Sequence, residues 1–228
     1  LQRIYGIKIM DSKRMKSQKW DLKGLATISA NCFMKQIFIF GFFHGDPHPG
    51  NIFVAGASKI SFVDFGIVGY LDKGTMTFIS NLFTAATRRD IEKIINILVE
   101  FEAIGPKTNI RRLKEDISFI INLYYNMPLN KLNLGEALKK IMELAYINKI
   151  KLPSQFTILL KAIVTFEGSI KFLNPEFSLS HIAKDFTKEI YYYRFNPKNL
   201  AIEIKDYTEE VLYAIKYLPK QIKNLIRT

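Results

Sequence analysis

Three side chains in one short stretch carry the oxygen chemistry of this sequence. They are Asp46, Asn51 and Asp64, within GFFHGDPHPGNIFVAGASKISFVDFGIVGYLD at 41–72. Asp46 and Asn51 fit D-x-x-x-x-N, and Asp64-Phe65-Gly66 begins thirteen residues after Asn51. A carboxylate in a tight loop can accept a proton from a hydroxyl, or orient that hydroxyl toward a phosphate. An amide and a second carboxylate can share Mg²⁺, which takes one or two protein carboxylates and fills its octahedron with water and phosphate oxygens. Pro47 and Pro49 stiffen the loop that carries Asp46. Gly50 permits a backbone conformation closed to other residues, next to Asn51.

The elements that must position these groups can be read around them. Ile52–Val54 and Ile60–Val63 are β-branched and aromatic runs on either side of Ala55-Gly56-Ala57-Ser58, which predicts a hairpin. The midpoint between 51 and 64 falls inside that turn. A symmetric hairpin therefore sets Asn51 opposite Asp64 at its open end, where cross-strand Cβ atoms are about 4.5–5.5 Å apart. Upstream, Asp21 is an N-cap for a helix from Leu22 to about Phe40. Leu22, Leu25, Ala26, Ser29, Phe33, Ile37 and Phe40 share its apolar face.

Either motif alone is a common short string. Joined by a hairpin of this length, they have the spacing of a kinase catalytic loop followed by a metal-binding aspartate. His44, two residues before Asp46, reads as a packing and hydrogen-bonding residue more than as a base. His48 reads equally as a turn residue or as a group facing phosphate.

On these residues the chain resembles the C-terminal lobe of the UbiB family of atypical kinases, also called AarF-domain-containing or ADCK kinases. GFFHGDPHPGN is similar to that family's catalytic loop, with Gly45 where alanine is more usual. VDFGIVGYLD is similar to its metal-binding segment. Leu152-Pro153, Lys161-Ala162, Glu167-Gly168 and Asn174-Pro175-Glu176-Phe177 match its C-terminal half. The resemblance implies a mainly α, protein-kinase-like C-lobe with one catalytic β-hairpin. It also implies ATP and Mg²⁺ as cofactors, Asp46 as the catalytic residue, and Asn51 and Asp64 as metal ligands. His44, His48 and Gly50 would support the loop. Phe65 and Gly66 would lie near the nucleotide. A segment similar to Leu1–Ile7 forms the family's interlobe hinge, which would bring Arg3 and Tyr5 to the adenine. The acceptor would be a membrane lipid or an isoprenoid-quinone precursor, as in ubiquinone biosynthesis. Aminoglycoside and choline kinase-type phosphotransferases carry a similar H-G-D-x-H-x-x-N loop and are the alternative. A catalytically idle lipid-binding pseudokinase is the other.

Composition bounds these readings. The 228 residues are 48% hydrophobic and 24% charged, enough for a buried core in one domain or one large lobe. Cys32 is the single cysteine, which excludes an internal disulfide and fits a reducing, cytoplasmic compartment. Charged residues interrupt every apolar run before the roughly 18 residues of a membrane span. We therefore expect no transmembrane helix in this chain, and a peripheral position at the inner face of the membrane. A net charge of +12 attracts phosphates and anionic lipid. No nucleic-acid-binding signature accompanies it, so nucleic acid is not expected as a partner.

The rest divides into 1–20, a hinge strand and polar connection; 21–195, the helical lobe; and 196–228, C-terminal amphipathic helices. Helices are expected from Asp72, from Asp90 and from Asn109, the last stopping at Met127-Pro128. Further ones are expected on the stripe Leu134, Leu138, Ile141, Met142, Ala145, from Pro153 to about Leu173, at Leu179–Phe195 and at Pro197–Leu218. Glu167, on an otherwise apolar helix, reads as half of a structural ion pair. The basic tail after Pro219 suits packing on its own lobe better than lying on anionic membrane. No long activation segment follows Gly66, which favours a lipid or small-molecule acceptor over a peptide. No glycine-rich loop or strand lysine is present to hold the α- and β-phosphates. The chain alone is therefore expected to have little activity without an N-lobe in cis or in trans to bind ATP/ADP.

Overall fold

The computed structural model describes residues 5–125, 134–177 and 179–194. Arg3 and the rest of 1–4, the Met127-Pro128 stop, the helix expected at 197–218 and the basic tail lie outside the described residues. The chain divides into two compact units, Leu1–Thr187 and Lys188–Thr228.

The first unit opens on β1 (Ile7–Lys8) and a short helix α1 (Ser12–Ser17), where the sequence predicts only a polar connection. Asp11 caps α1 by accepting from the Arg14 N–H at 3.1 Å. Helix α2 (Leu22–Phe38) is capped by Asp21, whose carboxylate accepts from the Lys23 N–H. Leu25, Ala26, Ser29, Phe33 and Ile37 are buried along it, as the spacing predicts. Phe40 is not, because α2 ends at Phe38 and the next residues turn out through Gly41 at φ +63°.

Strand β2 (Phe42–His44) leads into the loop, a 3-10 turn spans Pro49–Asn51, and β3 (Ile52–Gly56) and β4 (Lys59–Phe62) form the hairpin. β1 adds to β3, pairing Ile7 with Val54 and Lys8 with Phe53, so this strand lies against the hairpin. A second sheet was not foreseen: β5 (Val68–Tyr70) pairs antiparallel with β2. Gly69 is obligatory there, since a Cβ would fall 2.0 Å from the ring of its cross-strand partner Phe43.

Helices follow: α3 (Lys73–Arg88), α4 (Ile91–Glu100), α5 (Ile110–Tyr125), α6 (Leu134–Ile147), α7 (Gln155–Ile170) and α8 (Ser180–Arg194). On α6, Ala137 and Ala145 are buried while Ile141 is exposed, so the packed face is narrower than the predicted stripe. The core is aromatic: Phe33 of α2 stacks on Phe166 of α7 at 4.2 Å between centroids, and Phe78 on Phe101 at 4.1 Å. Each such pair is worth about 0.5–1.5 kcal/mol beyond its burial. Helix α7 is thereby fixed to α2, with the 3-10 turn against α7 and β2 against α2. Among the described residues no helix is long and apolar enough to cross a membrane. Of the second unit, residues 188–194 are described; they carry the exposed Tyr191, Tyr192 and Tyr193.

Candidate active site

The loop between β2 and β3 is held by its own histidine. His44 is fully buried, and its Nδ1 accepts from the backbone N–H of Asp46 at 3.1 Å. Nε2 lies 2.8 Å from the carbonyl of Val63, the residue before Asp64. One nitrogen accepts and the other must donate, which assigns the neutral Nε2–H tautomer. Both ring positions are used, so His44 ties the loop to the segment carrying Asp64 and has no nitrogen left for proton transfer. The ring of Phe65 lies 4.9 Å from the His44 ring.

Asn51 is buried at the end of the 3-10 turn, and its Nδ2 donates to the Asp46 carbonyl at 3.2 Å. That bond closes the loop on itself and leaves the amide oxygen as the group Asn51 can offer. The backbone helps: the His48 N–H donates to the Asp46 carbonyl at 2.8 Å, and the Asn51 N–H to the His48 carbonyl at 2.9 Å. His48 is exposed, and its Nδ1 accepts from the Gly50 N–H at 3.0 Å, a local turn bond.

The hairpin register differs from the symmetric one. At the turn Gly56 faces Lys59, but an irregularity between Val54 and Gly56 shifts the pairing to Ile52 opposite Phe62. The Val63 N–H donates to the Asn51 carbonyl at 2.9 Å. Asn51 thus faces Val63, and Asp64 lies one residue beyond. The cause is a bulge, which inserts one unpaired residue in one strand. Asp64 itself adopts φ +62°, a left-handed conformation uncommon outside glycine and mildly favoured by Asp. Its exposed carboxylate accepts a long 3.4 Å bond from the Gly66 N–H.

Asp46, Asn51 and His44 are therefore joined by direct bonds, and Asp64 is linked to them through Val63. Tyr5 is exposed just before β1. Among the described residues no group of three or more His, Cys, Asp or Glu could hold a metal by itself. Gly45 donates its N–H to the Ile67 carbonyl at 2.9 Å, and a Cβ there would fall 2.7 Å from Ile67 Cγ2. Glycine at 45 thus goes with a branched residue at 67.

Two contributors were not assigned from sequence. Lys161 Nζ lies 3.7 Å from Asp46 Oδ2, and the Ser169 hydroxyl lies 2.7 Å from the carbonyl of Pro47. Lys161, Thr165 and Ser169 form a polar i, i+4, i+8 row along α7, which was the available signal. Glu167, next to this row, is buried with Lys171 at 3.9 Å, the ion pair the sequence predicts. Burial pushes the thiol of Cys32 on α2 up, against the opposing effects of Gln36 and Lys35.

Residues 1–98 match the ABC1 atypical kinase-like domain, and residues 117–178 match the UbiB helical domain. Over 228 residues the chain is 28% identical to a protein of Cellvibrio japonicus named "Probable protein kinase UbiB", covering 98% of this chain and 41% of that one. A Pseudomonas aeruginosa protein of the same name is 28% identical over 215 residues, 92% of this chain and 40% of its own. An uncharacterized protein from the hydrogenase 1 5′ region of Clostridium pasteurianum is 30% identical over 206 residues, 89% of this chain and 39% of its own. The chain spans about 40% of the length of these curated relatives.

Proposed function

Since the chain belongs to the UbiB family of ABC1-type atypical kinases, we propose that it supplies the catalytic and metal-binding half of an ATP- and Mg²⁺-dependent phosphotransferase or ATPase. The observation that carries this is the bonded unit His44–Asp46–Asn51, tied through Val63 to Asp64.

The residues fit a magnesium ion. Asn51 commits its Nδ2 to Asp46, no protein donor among the described residues is recorded on its Oδ1, and Asp64 offers an exposed carboxylate. One amide oxygen and one carboxylate suit an ion that keeps its remaining positions for water and phosphate. A magnesium-bound nucleotide would supply the γ-phosphoryl group with part of its charge neutralised. Asp46, its side chain 32% exposed, orients an acceptor hydroxyl or water and takes its proton. Lys161 fixes that carboxylate's direction and offsets its charge. His44 and Asn51 hold the backbone still while this happens.

A lipid-like acceptor, such as an isoprenoid-quinone precursor at the membrane face, accords with three features. Only β5 stands between Gly66 and the Asp72 cap of α3, leaving no long peptide-docking segment. The cross-strand pair Phe42 and Tyr70 is 47% and 67% exposed on the β2–β5 sheet. The net charge of +12 favours an anionic surface. The sequence holds no glycine-rich phosphate loop, so turnover requires a nucleotide-contacting lobe in cis or in trans.

The test measures magnesium-dependent nucleotide binding and ATP turnover with that lobe present. Asp64→Asn should abolish the magnesium dependence of binding. Asp46→Asn should keep binding and lose turnover. Wild-type behaviour in both variants would overturn the assignment.

A further inference from the structure

We propose a second anion site, remote in sequence from the catalytic loop, that takes a phosphate-bearing ligand. Its basis is a cavity of about 340 Å³ between the turn after α4, the first turn of α5 and the segment after α6. Lys107, Arg112, Lys149 and Lys151 all line it, and no Asp or Glu does.

The charge is not spent on neighbours. Arg111 pairs with Glu115 at 3.3 Å and Lys114 with Glu92 at 2.6 Å, so adjacent cations on the same helix do find acids. None of the four lining cations has an ion-pair partner among the described residues. The carboxylate recorded against a lining residue, Asp116, is engaged by the Asn148 amide at 2.9 Å. The Lys151 N–H donates to the Ala103 carbonyl at 2.7 Å, which fastens the segment carrying Lys149 and Lys151 beside the turn that leads to Lys107. Four like charges around one hollow repel, and an anion entering it relieves that repulsion. Asn109, which caps α5 by accepting from the Arg112 N–H at 3.0 Å, places the positive end of the helix on the same hollow. Arg and Lys together suit phosphate: a planar fork for two oxygens and point charges for the rest.

This inference is independent of the kinase reading. Two probes separate its sources: inorganic pyrophosphate, followed by calorimetry, and phosphatidylcholine vesicles with or without phosphatidic acid, followed by flotation. Both are run on the 228-residue chain with EDTA present, to silence any magnesium site. The variant is Arg112→Gln with Lys149→Gly. Lys149 sits at φ +54°, so glycine removes a charge and relieves the backbone together. The control, Lys13→Gln with Lys16→Gln on α1, removes equal charge elsewhere.

Pyrophosphate binding weakened about tenfold or more in the variant and little changed in the control supports a free phosphate ligand. Binding to phosphatidic acid vesicles alone, lost in the variant and kept in the control, supports a lipid headgroup. Equal losses in variant and control, undiminished binding in the variant, or no binding of either probe overturns the site.

Discussion

Lys161 of α7 lies 3.7 Å from the carboxylate of Asp46, and two turns further along the same helix Ser169 reaches the carbonyl of Pro47. The region matching the UbiB helical domain thus grips the loop of the region matching the ABC1 domain at two successive residues. The loop's geometry depends on a helix far from it in sequence, and that helix is anchored in turn by Phe33 on Phe166.

Lys161→Met should separate chemistry from stability. The pair is half open, with side chains 57% and 32% exposed, so its loss should change stability by less than about 1 kcal/mol. Under the proposed function, ATP turnover measured with a nucleotide-contacting lobe present should fall roughly ten- to a hundredfold, since a misplacement of about 1 Å can cost 10²-fold. Lys161→Arg should recover part of it. Steady-state kinetics beside thermal melts decide; unchanged kcat in the Met variant would make the contact incidental.

His44→Phe should act the other way, through stability first. It strands the Val63 carbonyl and the Asp46 N–H, both part-buried, and puts a larger apolar ring where the fully enclosed imidazole sat. The expected cost is about 1–3 kcal/mol, from two part-buried groups left without their partner. Denaturant unfolding measures it. A variant as stable as wild type would show that the two bonds are not what closes the loop.

Local chemistry was legible in the sequence. Asp21, Asp72 and Asp90 announce the helices they cap, and the hairpin strands announce themselves by β-branched residues. Long-range contacts were not legible. A symmetric count set Asn51 opposite Asp64, but one bulged residue moved its partner to Val63, and no residue type marks that bulge. The β2–β5 pairing was missed because VGY after Asp-Phe-Gly is too short to show a period, and its signal is a glycine shaped to a distant Phe43. Lys161 entered only as part of the family match, with no role assigned, because its partner is a loop far away in the chain.

Gly69→Ala tests the second sheet. The added methyl would meet the Phe43 ring at 2.0 Å, and Phe43 is fully buried with little room to turn. Overpacking of this kind costs about 1–3 kcal/mol. The double variant with Phe43→Leu should regain part of that loss by freeing space for the methyl. Denaturant midpoints of the two singles and the double give the coupling. Simple additivity would mean that the ring and the glycine do not meet.

Asp72 gives the sequence after the candidate metal ligand a pH-dependent anchor. Its carboxylate accepts from the Thr75 N–H at 2.9 Å and from the Thr75 hydroxyl at 2.7 Å. These two bonds hold its pKa below the ordinary carboxylate value, the backbone bond contributing most. A carboxyl depressed in the folded state binds its proton more weakly there than in the unfolded chain. Its contribution is therefore complete above the unfolded pKa of about 3.9, and fades as pH falls through the lower folded value. The group is exposed, so solvent screening keeps the effect small. At neutral pH, Asp72→Ala should cost about 1 kcal/mol, the usual worth of an N-cap. Asp72→Asn should keep the cap and lose only the ionic part. The gap between wild type and Asp72→Asn in urea unfolding should then narrow as pH is lowered below about 4. A gap that stays constant down to acid unfolding would mean that the carboxylate's charge contributes nothing at this helix start.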